Sequence, residues 1–366
     1  MVLKGDSAWS DPRLELSFSA HLMRFFLGSR GLDPLLFGDR PEPVLVDLAI
    51  YDLLRAQGPS AMLDQARTRL RSGLAQLAGS QHHQGGWGWS RLASQPAIPP
   101  TVAGLMALAR AKPLAGEIGW SFPAQKLDAA RNWLQQQLPR LAADDFGQRG
   151  EILYALSHLE GQQVPAVQLH RMHRMRGQLS LGAACLLGLT WQQRKRPEQA
   201  RELAQQVAKN LNFNSTLPLR ERWQPGSWVS DLDRVRALRL LALTGVAPDK
   251  LKEGWAWLMG RGNSLGWRFP RQAAEALDTL AKLEQGQTAK ARLKIQVKVN
   301  GKAAGQVELG ADRALAKLKV DPALLTSGDN RVELAASGSG PCLVQAVLSG
   351  HRKDAPAGDS RDPIKL

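Results

Sequence analysis

Cysteine is scarce in this chain of 366 residues, which contains only Cys185 and Cys342. Two cysteines can form at most one disulfide, so the fold cannot depend on a disulfide framework. Each lies in an apolar run, where a buried free thiol is the simpler interpretation. The cysteines therefore leave the redox compartment of the protein open.

A long hydrophobic run is also lacking. No window approaches the roughly 18 uncharged apolar residues that a membrane-spanning helix requires, and residues 1–12 lack the apolar core of a signal peptide. We expect either a cytosolic protein or a segment of a longer chain whose targeting signals lie elsewhere.

Acidic residues are too few to balance the basic ones. The chain has 33 Asp and Glu against 48 Lys and Arg, which gives a formal net charge of +15. This excess favours acidic partners through long-range attraction. Nucleic acid is disfavoured, because no recognition module is present and the aromatic residues are not interleaved with the Lys and Arg. The densest basic stretches are residues 170–176 and 194–196, which are interpreted either as solvated helix ends or as a docking surface for an acidic protein, phospholipid head groups or an anionic envelope polymer.

Two periodicities divide the chain near residue 288. Before it, apolar residues recur three and four apart between Pro and Gly breaks, which predicts roughly eleven or twelve amphipathic helices. Ser60 and Ser230 precede such runs and are candidate helix caps. The pattern favours antiparallel helix pairs in a closed α/α toroid over a solenoid, because no strict repeat is present.

After residue 288 the period falls to two. Leu293 begins an alternating strand that ends at Asn300-Gly301, a pair typical of a tight hairpin turn, and short strands follow. This region is predicted to be a small antiparallel β domain. Leu14, Leu16 and Phe18 alternate in the same way at the front of the chain, and because a lone strand is unstable, we expect it to pair with the C-terminal sheet.

Catalytic signatures are weak. Asp144 and Asp145, and Asp231 and Asp233, are the candidate acids of a toroid enzyme acting on isoprenoids, but each pair lacks the third carboxylate that a strong acid or a metal cage requires.

Metal and hydrolase signatures are no stronger. His170 and His173 lie three residues apart on one helical face within a basic stretch, where a solvated surface is more common than a metal site. Serine-hydrolase and phosphate-loop motifs are absent. We therefore assign no catalytic, cofactor-binding or metal-binding residue and expect a protein that is not an enzyme.

The sharpest motif is the stretch Gln-His-His-Gln-Gly-Gly-Trp-Gly-Trp at residues 81–89. Its glycines permit a tight reversal, and its tryptophans are interpreted as packing plugs rather than a ligand-stacking cleft. The motif resembles the Gly-Gly-Trp turn of α/α toroids, which are shared by terpene cyclases, prenyltransferase β subunits and the thioester domains of alpha-2-macroglobulins. The helices that follow, at 100–111, 129–138, 150–159 and 230–243 among others, resemble those of bacterial alpha-2-macroglobulin-like proteins.

The resemblance implies a domain plan. It places the first strand of a split, CUB-like β-sandwich domain at residues 1–19, the toroid at 20–287, the rest of the β domain at 288–352 and a linker to a following domain at 353–366. It covers nearly the whole chain, although only the Gly-Gly-Trp turn is a specific motif.

One departure from that family bears on function. Members that capture proteases covalently carry a Cys-x-Glu-Gln motif shortly after the first toroid helix, and residues 28–40 of this chain contain no cysteine. Neither Cys185 nor Cys342 precedes Glu-Gln. The chain therefore resembles a thioester-less branch of the family.

The resemblance implies protease inhibition or defence at the periplasmic face of the inner membrane, by enclosure of the protease and without a cofactor. The implied partners are proteases, and the implied membrane contact is only through a lipid anchor outside this segment. Two alternatives remain: an α/α-toroid enzyme acting on isoprenoids, and a scaffold that binds other envelope proteins through a basic face.

Overall fold

A computed structural model describes most of the chain. The described residues are 1–5, 9–19, 41–56, 60–160, 164–213, 230–264, 270–284, 292–310, 315–339 and 342–352. Residues 28–40 and the predicted linker at 353–366 lie outside them, as does the helix predicted before residue 28.

The chain divides into two compact units. One comprises Leu32–Lys282 and is helical; the other combines Met1–Gly31 with Leu283–Leu366 and holds all the described strands. The β unit is therefore discontinuous in sequence, with the helical unit inserted into it.

The helical unit alternates longer helices with short connections. Its described helices are α1 (Glu42–Ala56), α2 (Ala61–Gly79), α3 (Ile98–Ala111), α4 (Ala124–Gln137), α5 (Phe146–Leu156), α6 (Ala166–Arg174), α7 (Leu181–Gln193), α8 (Pro197–Asn210), α9 (Asp231–Thr244), α10 (Pro248–Ser264) and α11 (Pro270–Glu284). Short 3-10 turns extend α3, α4 and α6 at their C-terminal ends.

The helices form an inner and an outer layer. Consecutive odd-numbered helices from α1 to α9 contact one another, whereas even-numbered helices pack against their odd-numbered neighbours. Burial follows the same division: α3 is buried on all sides from Pro100 to Leu108, but α4 buries only Ala130 and Leu134. A helix that is apolar all round needs a protein environment all round, and the composition of α3 is therefore sufficient to place it inside.

The predicted helix caps are present. The Ser60 hydroxyl accepts a hydrogen bond from the backbone N–H of Leu63, and Ser230 forms a reciprocal capping box with Asp233. Each cap satisfies backbone donors that the first turn of a helix leaves unpaired.

The β unit contains two antiparallel sheets. Its strands are β1 (Val2–Leu3), β2 (Trp9–Ser19), β3 (Arg292–Val299), β4 (Lys302–Leu309), β5 (Leu315–Lys319), β6 (Asn330–Ser339) and β7 (Leu343–Arg352). One sheet has the order β1-β6-β3-β4 and the other β5-β2-β7. β2 thus pairs with two C-terminal strands: its Leu14 lies opposite Leu348 of β7, and its Phe18 lies opposite Ala316 of β5.

Both sheets contribute to a single apolar core. Leu16 and Phe18 of β2 and Ile295 and Val297 of β3 lie in one cluster of buried side chains. The hairpin between β3 and β4 turns at Asn300 and Gly301, whose φ angles of 51° and 80° suit this residue pair. The glycine spacing around Gly338 favours a turn, but β6 continues to Ser339, because Gly338 and Ser339 pair with Leu293 and Arg292 of β3. The prediction of a mainly α protein with small antiparallel sheets is confirmed.

Candidate functional site

The Gly-Gly-Trp turn is built around a buried indole. Trp87 is 2% exposed, and its Nε1–H donates to the carbonyl of Leu77 at 2.9 Å. Its backbone N–H donates to Thr101 Oγ1 at 2.9 Å, and the Thr101 hydroxyl donates to the Trp87 carbonyl at 3.2 Å. The turn therefore ties the end of α2 to the start of α3, as the packing interpretation predicts.

The glycines of this turn are required by geometry. Gly85 has a φ of +100°, a backbone angle that residues with a side chain rarely adopt. A Cβ on Gly86 would lie 2.6 Å from Thr101 Oγ1, and one on Gly104 would lie 2.5 Å from the Trp87 ring. The motif is therefore a packing device, whereas Trp89, two residues later, is 51% exposed.

The interior of the helical unit holds a group of paired charges, which we call the interior ion network: Asp52, Arg110, Glu151, Arg236, Arg239, Arg271, Glu275 and Asp278. These residues come from α1, α3, α5, α9 and α11. The network contains four arginines and four carboxylates, and Asp52, whose side chain is 39% exposed, lies at its margin.

One half of the network centres on Arg236. Its side chain is 3% exposed and forms ion pairs with Glu151 at 2.9 Å and with Glu275 at 3.0 Å. Arg271 also pairs with Glu151. Burial lowers the pKa of Arg236, but the charges of Glu151 and Glu275 more than compensate and raise it. Burial raises the pKa of Glu151, and the charges of Arg236 and Arg271 bring it below its usual value. Both groups are held in their charged forms.

The other half centres on Asp278. Arg110 donates to Asp278 at 2.7 Å and to Asp52 at 3.2 Å, and Arg239 lies 3.7 Å from Asp278. His158 packs edge-on against Tyr154, and burial lowers its pKa to about 4, so it is neutral at pH 7. This half of the network thus combines paired charges with packed aromatic rings.

The four candidate acids serve other purposes. Asp145 caps α5 by accepting from the backbone N–H of Gln148 at 3.0 Å, and Asp144 is exposed beside it. Asp233 belongs to the capping box of α9, and Asp231 pairs with Arg234 in the first turn of that helix. The structure thus places two of the candidate acids at the start of α5 and the other two at the start of α9.

The cysteines are structural. Cys185 is free and buried in α7, where burial and the nearby Asp233 raise the pKa of its thiol well above the ordinary value. Cys342 is free and half-buried, and burial raises its pKa. A raised pKa disfavours the thiolate, which is the nucleophilic form.

The histidine pair corrects the expectation of a solvated surface. His173 is half-buried; its Nδ1 accepts from Trp191 Nε1 at 3.2 Å, and its Nε2 lies 3.2 Å from Glu202 Oε2. Only His170 is exposed, with its ring 5.4 Å from that of Trp191. Among the described residues, no group of three or more His, Cys, Asp or Glu side chains could hold a metal ion.

Exposed basic residues lie on α6 and on the turn after α7. We define the basic face as His170, Arg171 and Arg174 of α6 with Lys195 and Arg196 of the turn after α7, all of which are exposed. The backbone N–H of Arg196 donates to the Trp191 carbonyl at 3.0 Å, so Trp191 links the turn to α6. In the described part of the chain, no helix is both long enough and apolar enough to cross a membrane.

The interior ion network was not predicted from the sequence. A signal was present: Arg236 and Arg239 interrupt the apolar run from Val235 to Leu243. Such arginines indicate buried carboxylate partners, but the sequence does not say which carboxylates these are.

Solved structures share this arrangement of helices and strands. The native conformation of Escherichia coli alpha-2-macroglobulin matches with a TM-score of 0.64 and 18% identity over 97% of this chain and 23% of its own. Salmonella alpha-2-macroglobulin reacted with methylamine matches with a TM-score of 0.61, 18% identity and the same coverages. The Escherichia coli protein activated by porcine elastase matches with a TM-score of 0.54 and 17% identity over 97% of this chain and 32% of its own.

This chain has the fold of a region of bacterial alpha-2-macroglobulins. The likeness of fold is what the resemblance at residues 81–89 implies. The chain spans about a quarter of the length of the Salmonella alpha-2-macroglobulin that it matches. No family model matches the sequence, and no curated protein matches it.

Proposed function

We propose that this chain is a non-covalent module of a bacterial alpha-2-macroglobulin-like envelope protein that inhibits proteases without a thioester. The observation that carries the proposal is the match of fold over 97% of the chain, in a sequence whose residues 28–40 contain no cysteine. Its fold neighbours are protease inhibitors rather than enzymes, and one of them is described as activated by elastase.

The chemistry of a thioester supports this assignment. A thioester joins a cysteine sulfur to a glutamine carbonyl, and it therefore needs both groups at one place. Cys185 is followed by Leu-Leu and Cys342 by Leu-Val. Cys185 is also buried in the helical unit. Residues 28–40 contain no glutamine, so that stretch supplies neither of the two groups that form a thioester.

In architecture, we propose an α/α toroid for the helical unit and a CUB-like β-sandwich for the β unit. The succession of odd-numbered helices inside even-numbered ones supports the toroid. The shared core of two antiparallel sheets supports the sandwich. The domain boundaries predicted from the sequence, at residues 19, 287 and 352, are part of this proposal. The compact units of the structure change at residues 31 and 282 instead.

The fold neighbours suggest proteases as the partners of this chain. We propose that the full-length protein lies in the periplasm, is anchored to the inner membrane and acts in defence. A scaffold role is a second candidate, because the basic face is exposed and offers charge for other envelope proteins. The isoprenoid enzyme has no such support from the described residues.

Methylamine tests the absence of a thioester, because it opens thioesters and adds to the protein. The full-length polypeptide that contains this chain is incubated with methylamine and analysed by intact mass spectrometry. We expect no change of mass. An increase in mass that equals one added methylamine would contradict the proposal.

Protease capture tests the function itself. The same full-length polypeptide is mixed with elastase and analysed both by native size exclusion and by denaturing electrophoresis. Enclosure without a covalent bond predicts co-elution in the native run and full separation after denaturation. An adduct that survives denaturation, or no co-elution, would contradict it.

A further inference from the structure

The basic face stands out because its cations lack acidic partners. Among the described residues, Arg171, Arg174, Lys195 and Arg196 form no ion pair with a carboxylate, whereas the nearby Arg176 is paired. On α6, Leu169 and Met172 point inward, so Arg171 and Arg174 lie on its solvent side. Exposed like charges without carboxylate partners repel one another, and an anionic partner would relieve that repulsion.

A carboxylate is already bound at the margin of this face. Glu202 of α8 reaches back to His173 Nε2 at 3.2 Å and to Arg176 Nε at 2.7 Å. The Glu202 carboxylate is thus bound at this surface between the imidazole of His173 and the guanidinium of Arg176. Arg171 and Arg174, one turn apart, offer a similar spacing to carboxylates that arrive from outside.

The apolar side chains near the face argue against a membrane or a nucleic acid as the partner. A helix that binds a lipid surface exposes large apolar residues, but those of α6 are buried except for Val167. Binding of single-stranded nucleic acid uses exposed aromatic rings for stacking, and Trp191 is only 4% exposed.

We propose that the basic face docks an acidic segment of a partner protein, whose Asp or Glu carboxylates pair with Arg171, Arg174, Lys195 and Arg196. This inference deepens the scaffold role put forward above for an envelope protein. It does not depend on protease capture, so each can fail while the other holds.

The test measures binding of fluorescein-labelled poly-L-glutamate to the full chain by fluorescence anisotropy at about 50 mM and about 300 mM salt. We expect binding at low salt that weakens as salt rises. The variant R171E/R174E/K195E/R196E should bind at least about tenfold more weakly, because repulsion replaces attraction at every position. The variant R171Q/R174Q/K195Q/R196Q, which removes the charges without reversing them, should lose less.

A matched control separates the face from the overall charge. The variant R140E/K209E/K298E/K302E reverses four exposed cations elsewhere, so it changes the net charge by the same amount. It should retain the affinity to within about twofold. Circular dichroism and thermal melting show whether each variant is folded.

Three outcomes would overturn the proposal. Equal losses in the two charge-reversal variants would mean that only the diffuse charge of a basic protein is measured. Unchanged binding by the folded R171Q/R174Q/K195Q/R196Q variant would exclude the face. Binding to phosphatidylglycerol vesicles or to oligothymidine that is tighter than binding to poly-L-glutamate, and that is lost on mutation of the face, would assign it to a lipid or a nucleic acid instead.

Discussion

Trp87 shows at the scale of one residue how this sequence fixes a turn. Gly104 leaves room for the indole, and the Leu77 carbonyl accepts the hydrogen bond of the indole N–H. The Thr101 hydroxyl accepts from the backbone N–H of Trp87 and donates to its carbonyl. A large side chain with every polar group satisfied contributes both packing and specificity.

The variant Trp87→Ala should therefore lower the free energy of unfolding by about 3 to 5 kcal/mol, because it leaves a cavity beside Gly104 and removes the indole donor. Trp89→Ala is the matched control, since Trp89 is 51% exposed, and it should cost less than about 1 kcal/mol. Urea unfolding followed by circular dichroism measures both. Equal effects would show that Trp87 does not act as a plug.

At the scale of helices, charge joins elements that are far apart in sequence. α9 carries Arg236, whose two partners lie on α5 and α11. A buried arginine is tolerated only if carboxylates compensate for its lost hydration, so these pairs fix which helices lie beside α9.

The variant Arg236→Met should destabilise the chain by about 3 to 5 kcal/mol, because Glu275 and Glu151 lose their shared partner while they remain buried. The exposed pair of Lys250 and Glu253 provides the control, and Lys250→Met should cost less than about 0.5 kcal/mol. Chemical denaturation of the two variants gives the comparison. A loss for Arg236→Met no larger than that for Lys250→Met would mean that the interior ion network does not hold α5, α9 and α11 together.

Across the whole molecule, the β unit depends on a strand from the opposite end of the chain. β2 is the central strand of the sheet β5-β2-β7, and Leu16 within it is 0% exposed. A charge at that position would be buried against apolar side chains of both sheets, and β2 is the only described strand that pairs with β5 and β7.

We expect Leu16→Asp to unfold the β unit and to leave the helical unit protected. Hydrogen exchange resolved by peptide should show rapid exchange in β5, β7 and β3 with unchanged exchange in α3 and α7. The control is Ser17→Asp, because Ser17 is the next residue and is half-exposed. This variant should leave the exchange of both units unchanged. Loss of protection throughout the chain would show that the two units do not unfold separately.

Much of this fold follows from local pattern. Ser60 and Ser230 indicated helix starts, Asn300-Gly301 indicated a hairpin, and the alternation at Leu14 to Phe18 indicated a strand, because each depends on backbone geometry within a few residues. His173 was interpreted wrongly as solvated, because its partners Trp191 and Glu202 come from other helices. From the sequence, the candidate acids had no role beyond that of a possible toroid enzyme, and their positions at helix N-termini became visible only once the helix ends were known.

The sequence by itself determined the kinds of elements and their order, the strong excess of positive charge and the absence of a cysteine from residues 28–40, since these depend on composition and on near neighbours in the chain. Tertiary structure decided where the charges go. It pairs Arg236 and Arg239 of α9 with carboxylates from α5 and α11 inside the helical unit, and it leaves the arginines of α6 facing water. The physical reason is that the energy of a charge depends on burial and on partners distant in sequence, which no local pattern specifies.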